Sequence, residues 1–130
     1  MGQPAAKQGD TVTATDTHIV LVPSPGGPVP TPTPLPFAGQ ITSGCSTTVF
    51  IDGMPAAVVG SEAQNLPPHV PPSGSFANPP TNKATISLGS MTVSIDGKAA
   101  ARNGDKAMTC NDPAPLPVGT VTAVSTVEIG

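Results

Sequence analysis

The chain is poor in the residues that usually fill a protein core. It has no tryptophan or tyrosine and only three phenylalanines among 130 residues. Buried apolar surface contributes roughly 25 cal/mol per Å², so a core built from valine, isoleucine, leucine and alanine is thin. The composition therefore predicts that something besides hydrophobic burial helps to hold the fold together.

Charge is also scarce. Lysine and arginine total 5, aspartate and glutamate total 8, and the net charge is −3. Such a chain has no basic stripe to neutralise phosphates, so we expect no nucleic-acid partner. No stretch approaches the roughly 18 apolar residues of a membrane span. The stretch from Gly2 to Asp10 lacks the apolar segment of a secretory signal peptide, so none is expected.

Helix signals are nearly absent, because 18 prolines and 14 glycines interrupt almost every window of the sequence. Short alternating runs, such as Thr47–Ile51 and Met91–Ile95, are typical of strands instead. The sequence therefore predicts an all-β protein with almost no helix.

What the chain does contain is one pattern that occurs three times. A glycine precedes Pro-Ala-Ala or Ala-Ala-Ala, and a second glycine follows. The three copies are Gly2–Asp10, Gly53–Ser61 and Gly97–Asp105. A strand-like run precedes the second and third copies, and a matching run, Thr126–Gly130, ends the chain with no copy after it. A period in the forties predicts a repeat architecture. We expect a single domain, 1–130, with repeats around 2–47, 48–91 and 92–130 and with the termini closing a three-fold ring.

Three proline-rich segments separate the repeated units: 22–37, 66–80 and 112–117. Their position once per repeat favours stiff loops at one end of the ring, because proline lowers the entropy of the unfolded chain. Taken alone, such segments are also typical of linkers or of ligands for proline-binding grooves.

The two histidines and two cysteines occupy related positions. His18 lies nine residues after Gly9, and His69 lies nine residues after Gly60. Cys110 lies in the matching stretch of the third repeat, and Cys45 precedes the strand of the second. A three-fold ring would bring these positions together, and two imidazoles with two thiolates suit a closed tetrahedral zinc site. The predicted metal ligands are His18, Cys45, His69 and Cys110.

Other interpretations remain open at this point. The histidines could lie on the surface, and the cysteines could form a disulfide or stay as buried thiols. No nucleophile elbow or phosphate-binding loop is present, and the chain has only two glutamates, Glu62 and Glu128. We therefore expect no enzyme, with a small zinc-dependent enzyme and a proline-rich interaction adaptor as the alternatives.

The repeated pattern resembles that of the PAAR-repeat proteins, which cap the central spike of contractile injection systems. The residues that carry the resemblance are Pro4-Ala5-Ala6-Lys7, Pro55-Ala56-Ala57-Val58 and Ala99-Ala100-Ala101-Arg102. None of the copies spells the full Pro-Ala-Ala-Arg. The resemblance implies a pseudo-three-fold conical β-prism, a structural zinc site and no catalytic residues.

The resemblance also implies a function and partners. The protein would be a structural tip that sharpens the spike, helps it to puncture a target membrane and carries effector cargo. It would bind as a monomer, through its base, to a homotrimeric β-helical spike protein. It would be assembled in the bacterial cytoplasm and delivered with a type VI secretion apparatus or a phage-tail-like particle.

Overall fold

The computed structural model describes residues 2–130, and these residues form strands, turns and loops without a helix. The strands are β1 (Gln3–Pro4), β2 (Thr11–Val22), β3 (Val29–Ser43), β4 (Phe50–Ile51), β5 (Met54–Pro55), β6 (Glu62–Asn65), β7 (Ser75–Phe76), β8 (Lys83–Ile86), β9 (Ser94–Ile95), β10 (Lys98–Ala99), β11 (Lys106–Thr109), β12 (Leu116–Thr122) and β13 (Glu128–Ile129).

Six of these strands close into a barrel. The antiparallel order is β12-β11-β8-β6-β3-β2, and β12 also pairs with β2, which completes the circle. Each repeat contributes two neighbouring strands: β2 and β3, β6 and β8, and β11 and β12. The predicted fold class, all-β with three repeats around one axis, is confirmed.

A short hairpin lies at the start of each repeat. Ile51 pairs with Met54 in β4–β5, and Ile95 pairs with Lys98 in β9–β10. The third hairpin has the same register but is assembled from both ends of the chain, with Gln3 of β1 opposite Ile129 of β13. We refer to the surface formed by these three hairpins as the base.

The alanines of the repeated pattern meet at the axis. Ala6 donates its backbone N–H to Ala101 at 2.9 Å, Ala101 donates to Ala57 at 3.0 Å, and Ala57 donates back to Ala6 at 3.0 Å. All three residues are fully buried. Three chain segments therefore cross within hydrogen-bonding distance, which leaves room for a methyl group and little more.

The second glycine of each pattern turns the chain from the axis into the barrel. Gly9, Gly60 and Gly104 have φ values of 97°, 99° and 90°. A Cβ at any of these positions would meet nothing within 4 Å, so backbone conformation and not close approach calls for glycine here. The next residue closes the turn: Asp10 accepts a 2.9 Å hydrogen bond from the backbone of Lys7.

Two apolar clusters fill the molecule. The first lines the barrel and includes Phe37, Ile41 and Ile86, and the second lies beneath the base. The base cluster buries Ile51, Ile95 and Ile129, with Val93 packed against it. The other two valines of the same runs are more open, Val49 at 37% and Val127 at 41% exposure.

The second and third proline-rich segments lie mostly in the connections between β6 and β8 and between β11 and β12, at the end of the barrel away from the base. The second includes β7, and the third runs into the start of β12. The first segment, 22–37, was expected to be a loop, and this was wrong for most of its length. Residues 29–37 belong to β3, which pairs with β2 over twelve positions, from Thr11↔Gln40 to Val22↔Val29. Prolines fit this strand because they alternate at 30, 32, 34 and 36, so their missing N–H groups all fall on the edge away from β2.

Candidate metal centre

Strand alternation directs two polar side chains of β2 into the barrel. The even-numbered residues Val12, Asp16, His18 and Val20 are buried, while their neighbours face outward. Asp16 and His18 lie level with the connections that follow β6 and β11, because β2 is the longest of the three equivalent strands. Those connections carry His69 and Cys110.

The four side chains meet in one cluster, which we call the apical cluster. Asp16, His18, His69 and Cys110 each offer one ligand atom within 4.8 Å of the others. His69 Nε2 lies 3.0 Å from Asp16 Oδ2, and Cys110 Sγ lies 3.4 Å from the same oxygen. His18 Nε2 lies 3.7 Å from Cys110 Sγ.

These distances fit a single small cation. Ligands about 2.0–2.3 Å from a tetrahedral zinc ion are separated by roughly 3.3–3.8 Å, close to the three separations just given. The donor set of two imidazoles, one thiolate and one carboxylate is also suitable for zinc. Its two negative charges would balance a divalent ion, which favours binding at a buried position.

Neighbouring residues hold Asp16 and His69 in place. Asp16 Oδ1 accepts hydrogen bonds from the Thr109 hydroxyl and, at 3.3 Å, from the Asn111 amide. The Asn65 amide nitrogen lies 3.3 Å from His69 Nδ1. These contacts orient the carboxylate and the imidazole toward the centre of the cluster without the help of an ion.

Burial, as the largest cause, and the adjacent Asp16 carboxylate together raise the pKa of the Cys110 thiol to about 11. A thiol in this setting keeps its proton at neutral pH unless a cation replaces it. Metal ligation deprotonates thiols outright, so the site has the chemistry of a metal ligand and not of a free nucleophile.

The side chains of Cys110, His18 and Asp112 are arranged like the triad of a cysteine hydrolase. One ring nitrogen of His18 lies 3.7 Å from Cys110 Sγ, and the other lies 3.6 Å from Asp112 Oδ2. Nucleophilic catalysis needs a depressed thiol pKa and access for a substrate. Cys110 has a raised pKa and is 6% exposed. The arrangement therefore favours a closed structural centre.

The structure brings together three of the four residues expected from sequence, namely His18, His69 and Cys110. It does not bring Cys45 into the apical cluster. Cys45 lies just after the end of β3 and packs against the barrel core, with its Sγ 3.9 Å from the Ser43 carbonyl oxygen. Asp16 occupies the fourth position instead. Its signal in the sequence was strand alternation, which places residue 16 on the same face as residue 18.

The fold and the cluster define a class: a closed three-repeat β-barrel with a metal-type donor set under its loops. A family model described as PAAR motif matches residues 22–114, well over half of the chain. The protein therefore belongs to the PAAR family, whose members are structural tips on the spikes of contractile injection systems. A comparison with curated proteins found no match.

The structure agrees with this assignment at the level of the whole chain. The residues that resemble the family signature are those that meet at the axis. Among residues 2–130, no helix is long and apolar enough to cross a membrane.

Proposed function

We propose that this protein is a metal-stabilised tip that caps a homotrimeric β-helical spike, sharpens it for membrane puncture and carries effector cargo. The observation that carries the proposal is the origin of the four donor atoms. Asp16 and His18 come from β2, His69 from the connection after β6, and Cys110 from the connection after β11. One ion would thus fasten all three repeats at the end opposite the base.

A structural ion suits a molecule with a thin core. Most of the barrel and base clusters are alanine, valine and isoleucine. A structural zinc ion contributes on the order of 10 kcal/mol to folding in small domains, which is comparable with the whole stability of a typical domain. Zinc held by Asp16, His18, His69 and Cys110 would keep the end of the barrel opposite the base ordered under load.

The base is the surface we assign to the spike. Its three hairpins have the same register, so they can face three identical chains of a partner. Their outward side chains differ, however. One hairpin presents Phe50 and Met54, which are 58% and 38% exposed, whereas Ser94 and Lys98 occupy the equivalent positions of another. We propose that the Phe50 hairpin provides the main apolar contact and that one monomer binds one trimer.

This function implies a route. The protein would be assembled with the spike in the bacterial cytoplasm and leave with the injection particle, and the target membrane would be contacted mechanically.

The metal centre is tested by elemental analysis and thermal unfolding of the purified protein. Asp16→Ala, His18→Ala, His69→Ala and Cys110→Ala should each lower the bound zinc well below one equivalent. Cys45→Ala is the matched control and should retain it. A chelator should lower the Tm of the unmodified protein and of Cys45→Ala, but not that of the four variants. Full zinc content in all four variants would refute the ligand set.

Binding to the spike is tested by light scattering on a mixture with the purified trimer of the same injection system. One monomer per trimer is expected. Phe50→Ser should weaken the complex at least tenfold, whereas Leu88→Ser, a change at a similarly exposed apolar residue outside the hairpins, should not. Equal loss in both variants would contradict docking through the base.

A further inference from the structure

We infer that Asp112 positions His18 for metal binding, by accepting a hydrogen bond from the ring N–H that faces away from the apical cluster. This inference rests on the proposed metal centre. It adds an outer residue that neither the repeat pattern nor the donor cluster identifies.

The first observation is an unsatisfied atom. His18 Nδ1 is buried, yet it has no hydrogen-bond partner among the described residues. A buried polar group without a partner is destabilising, so its surroundings call for an explanation. One acceptor, Asp112 Oδ2, lies 3.6 Å from it. This separation exceeds a normal hydrogen bond by only a few tenths of an ångström.

The chemistry of the ring explains why the acceptor matters. His18 Nε2 faces Cys110 Sγ at 3.7 Å, so Nε2 is the atom available to a metal. A neutral imidazole carries one proton, and ligation through Nε2 requires that proton to be on Nδ1. Histidine ligands usually donate that N–H to a carboxylate, a carbonyl or water, which fixes the ring and strengthens the ligand.

The second observation is that Asp112 is held independently of His18. Its Oδ2 accepts the backbone N–H of Ile19 at 2.8 Å, and its own N–H donates to the Thr17 carbonyl at 2.9 Å. One residue earlier, Asn111 Oδ1 accepts the backbone N–H of Thr17 at 2.8 Å. Residues 110–112 therefore bind along the edge of β2 that faces away from β3, as a short substitute for a strand.

This docking gives the three consecutive residues separate tasks. Cys110 offers its thiol, Asn111 contacts the Asp16 carboxylate, and Asp112 faces the outer nitrogen of His18. The other imidazole differs, because His69 Nδ1 lies 3.3 Å from the Asn65 amide nitrogen. Only His18 has a carboxylate behind its ring, so we expect it to be the more strongly supported histidine ligand.

The test compares Asp112→Asn with the unmodified full-length protein. Asparagine has the same shape and can still accept the N–H of Ile19, but it replaces the charged acceptor behind His18. Zinc affinity, measured by competition with a chromophoric chelator, should fall about 10- to 100-fold, as when outer-shell partners of other metal sites are changed. Asp52→Asn, the same substitution in the base, should leave the affinity unchanged.

A second measurement separates ring positioning from general destabilisation. The absorption bands of Co²⁺ bound in place of zinc report the ligand field, and they should shift in Asp112→Asn but not in Asp52→Asn. In excess chelator, the Tm of Asp112→Asn should match that of the unmodified protein. If the metal-free variant does not fold, the rate of zinc release from the loaded protein should rise by the same 10- to 100-fold factor.

The outcomes distinguish the two proposals. An unmodified protein that binds neither zinc nor Co²⁺ would overturn the metal centre and this inference together. An unmodified protein that binds both ions, with the affinity and Co²⁺ bands of Asp112→Asn unchanged, would overturn only the role of Asp112.

Discussion

The residue that follows the alanines of each repeated pattern differs among the repeats. The residue that bonds to it across the turn differs as well. Arg102 forms an ion pair with Asp105 at 2.8 Å, and Lys7 pairs with Asp10 at 3.0 Å. In the second repeat the corresponding residues are Val58 and Ser61, and the Ser61 hydroxyl accepts the backbone N–H of Val58 at 2.9 Å. The same turn is therefore closed in two ways, one charged and one neutral.

This difference predicts a compensating pair of substitutions. Arg102→Val should lower the free energy of unfolding by about 1.5–3 kcal/mol, because it removes hydrogen bonds between charged groups and leaves Asp105 buried without its cation. Arg102→Val with Asp105→Ser should recover at least about 1 kcal/mol of that loss, because the neutral pair is already accommodated in the second repeat. Urea denaturation of the single and double variants measures both values. Simple additivity of the two single changes would contradict the prediction.

The sequence predicts some residues of the apical cluster more directly than others. His18 and His69 share an offset from a repeated glycine, so repeat geometry alone pointed to their proximity. Asp16 follows no repeated offset, and only the alternation of β2 relates it to His18. Asp112 could not be found in this way, because its role depends on how residues 110–112 bind the edge of β2.

Among the structural elements, the base hairpins are braced to one another by carboxylates. Asp96 accepts hydrogen bonds from the Ser46 hydroxyl at 2.6 Å and the Thr48 hydroxyl at 2.5 Å. Asp52 accepts from the hydroxyl and the backbone N–H of Thr126. At the third equivalent position, the Gly130 oxygen accepts from the Ser90 and Thr92 hydroxyls. Each bond connects the turn position of one hairpin to the segment that leads into another hairpin.

The braces predict a dependence of stability on acid pH. The Ser46 and Thr48 hydroxyls lower the pKa of Asp96, and Thr126 lowers that of Asp52. A lowered pKa in the folded state stabilises the fold above the unfolded pKa of about 3.9, and this contribution is lost as pH falls toward the folded value. The Tm should therefore drop below about pH 4, and it should drop less steeply in Asp96→Asn. Glu128→Gln, on the same surface, is the control. Identical pH profiles for Asp96→Asn and the unmodified protein would contradict the brace.

The outer edge of β3 predicts an effect on self-association. Residues 29–36 have no strand partner on that edge within the described chain. The N–H groups that would face it belong to alternate residues, and prolines at 30, 32 and 34 remove three of these donors. Edge strands with free donors pair with other chains. Replacing these three prolines with threonine should therefore produce dimers or larger species in sedimentation velocity. Threonine at Pro23, Pro25 and Pro28 in the turn should leave a monomer. A monomeric β3 variant at the same concentration would argue against this protective role.

The elements differ in how far sequence reasoning could reach them. One strand of each hairpin lies in a run recognised from alternation, in Thr47–Ile51, Met91–Ile95 or Thr126–Gly130. The segment 29–37 was not recognised as a strand, because proline density usually indicates a loop. Its conformation depends on pairing with β2, where every proline falls at a position that needs no N–H toward its neighbour.

On the scale of the whole molecule, three weak repeats stabilise one another around an axis. No repeat has enough large apolar side chains to form its own core, and the fully buried alanines pack only because three segments converge. The all-β three-fold architecture was predictable from the triplication. The extension of β2 and β3 beyond the apical cluster, to the pair Val22↔Val29, was not, because it is specific to the first repeat.

The hairpin assembled from β1 and β13 implies that the chain break could lie in a different hairpin of the base. In the β4–β5 hairpin, Asp52 and Gly53 connect the strands with φ values of 50° and 83°, which is typical of a type I′ turn. Direct ligation of Gly130 to Gly2 would supply a Gly-Gly turn of the same length between Ile129 and Gln3. A circular permutant that begins at Gly53 and ends at Asp52 should therefore fold with the same zinc content and a Tm within a few degrees. One opened between Ala56 and Ala57 should not, since its ends would fall at the axis. The barrel would then fold without requiring that the chain begin and end in the β1–β13 hairpin.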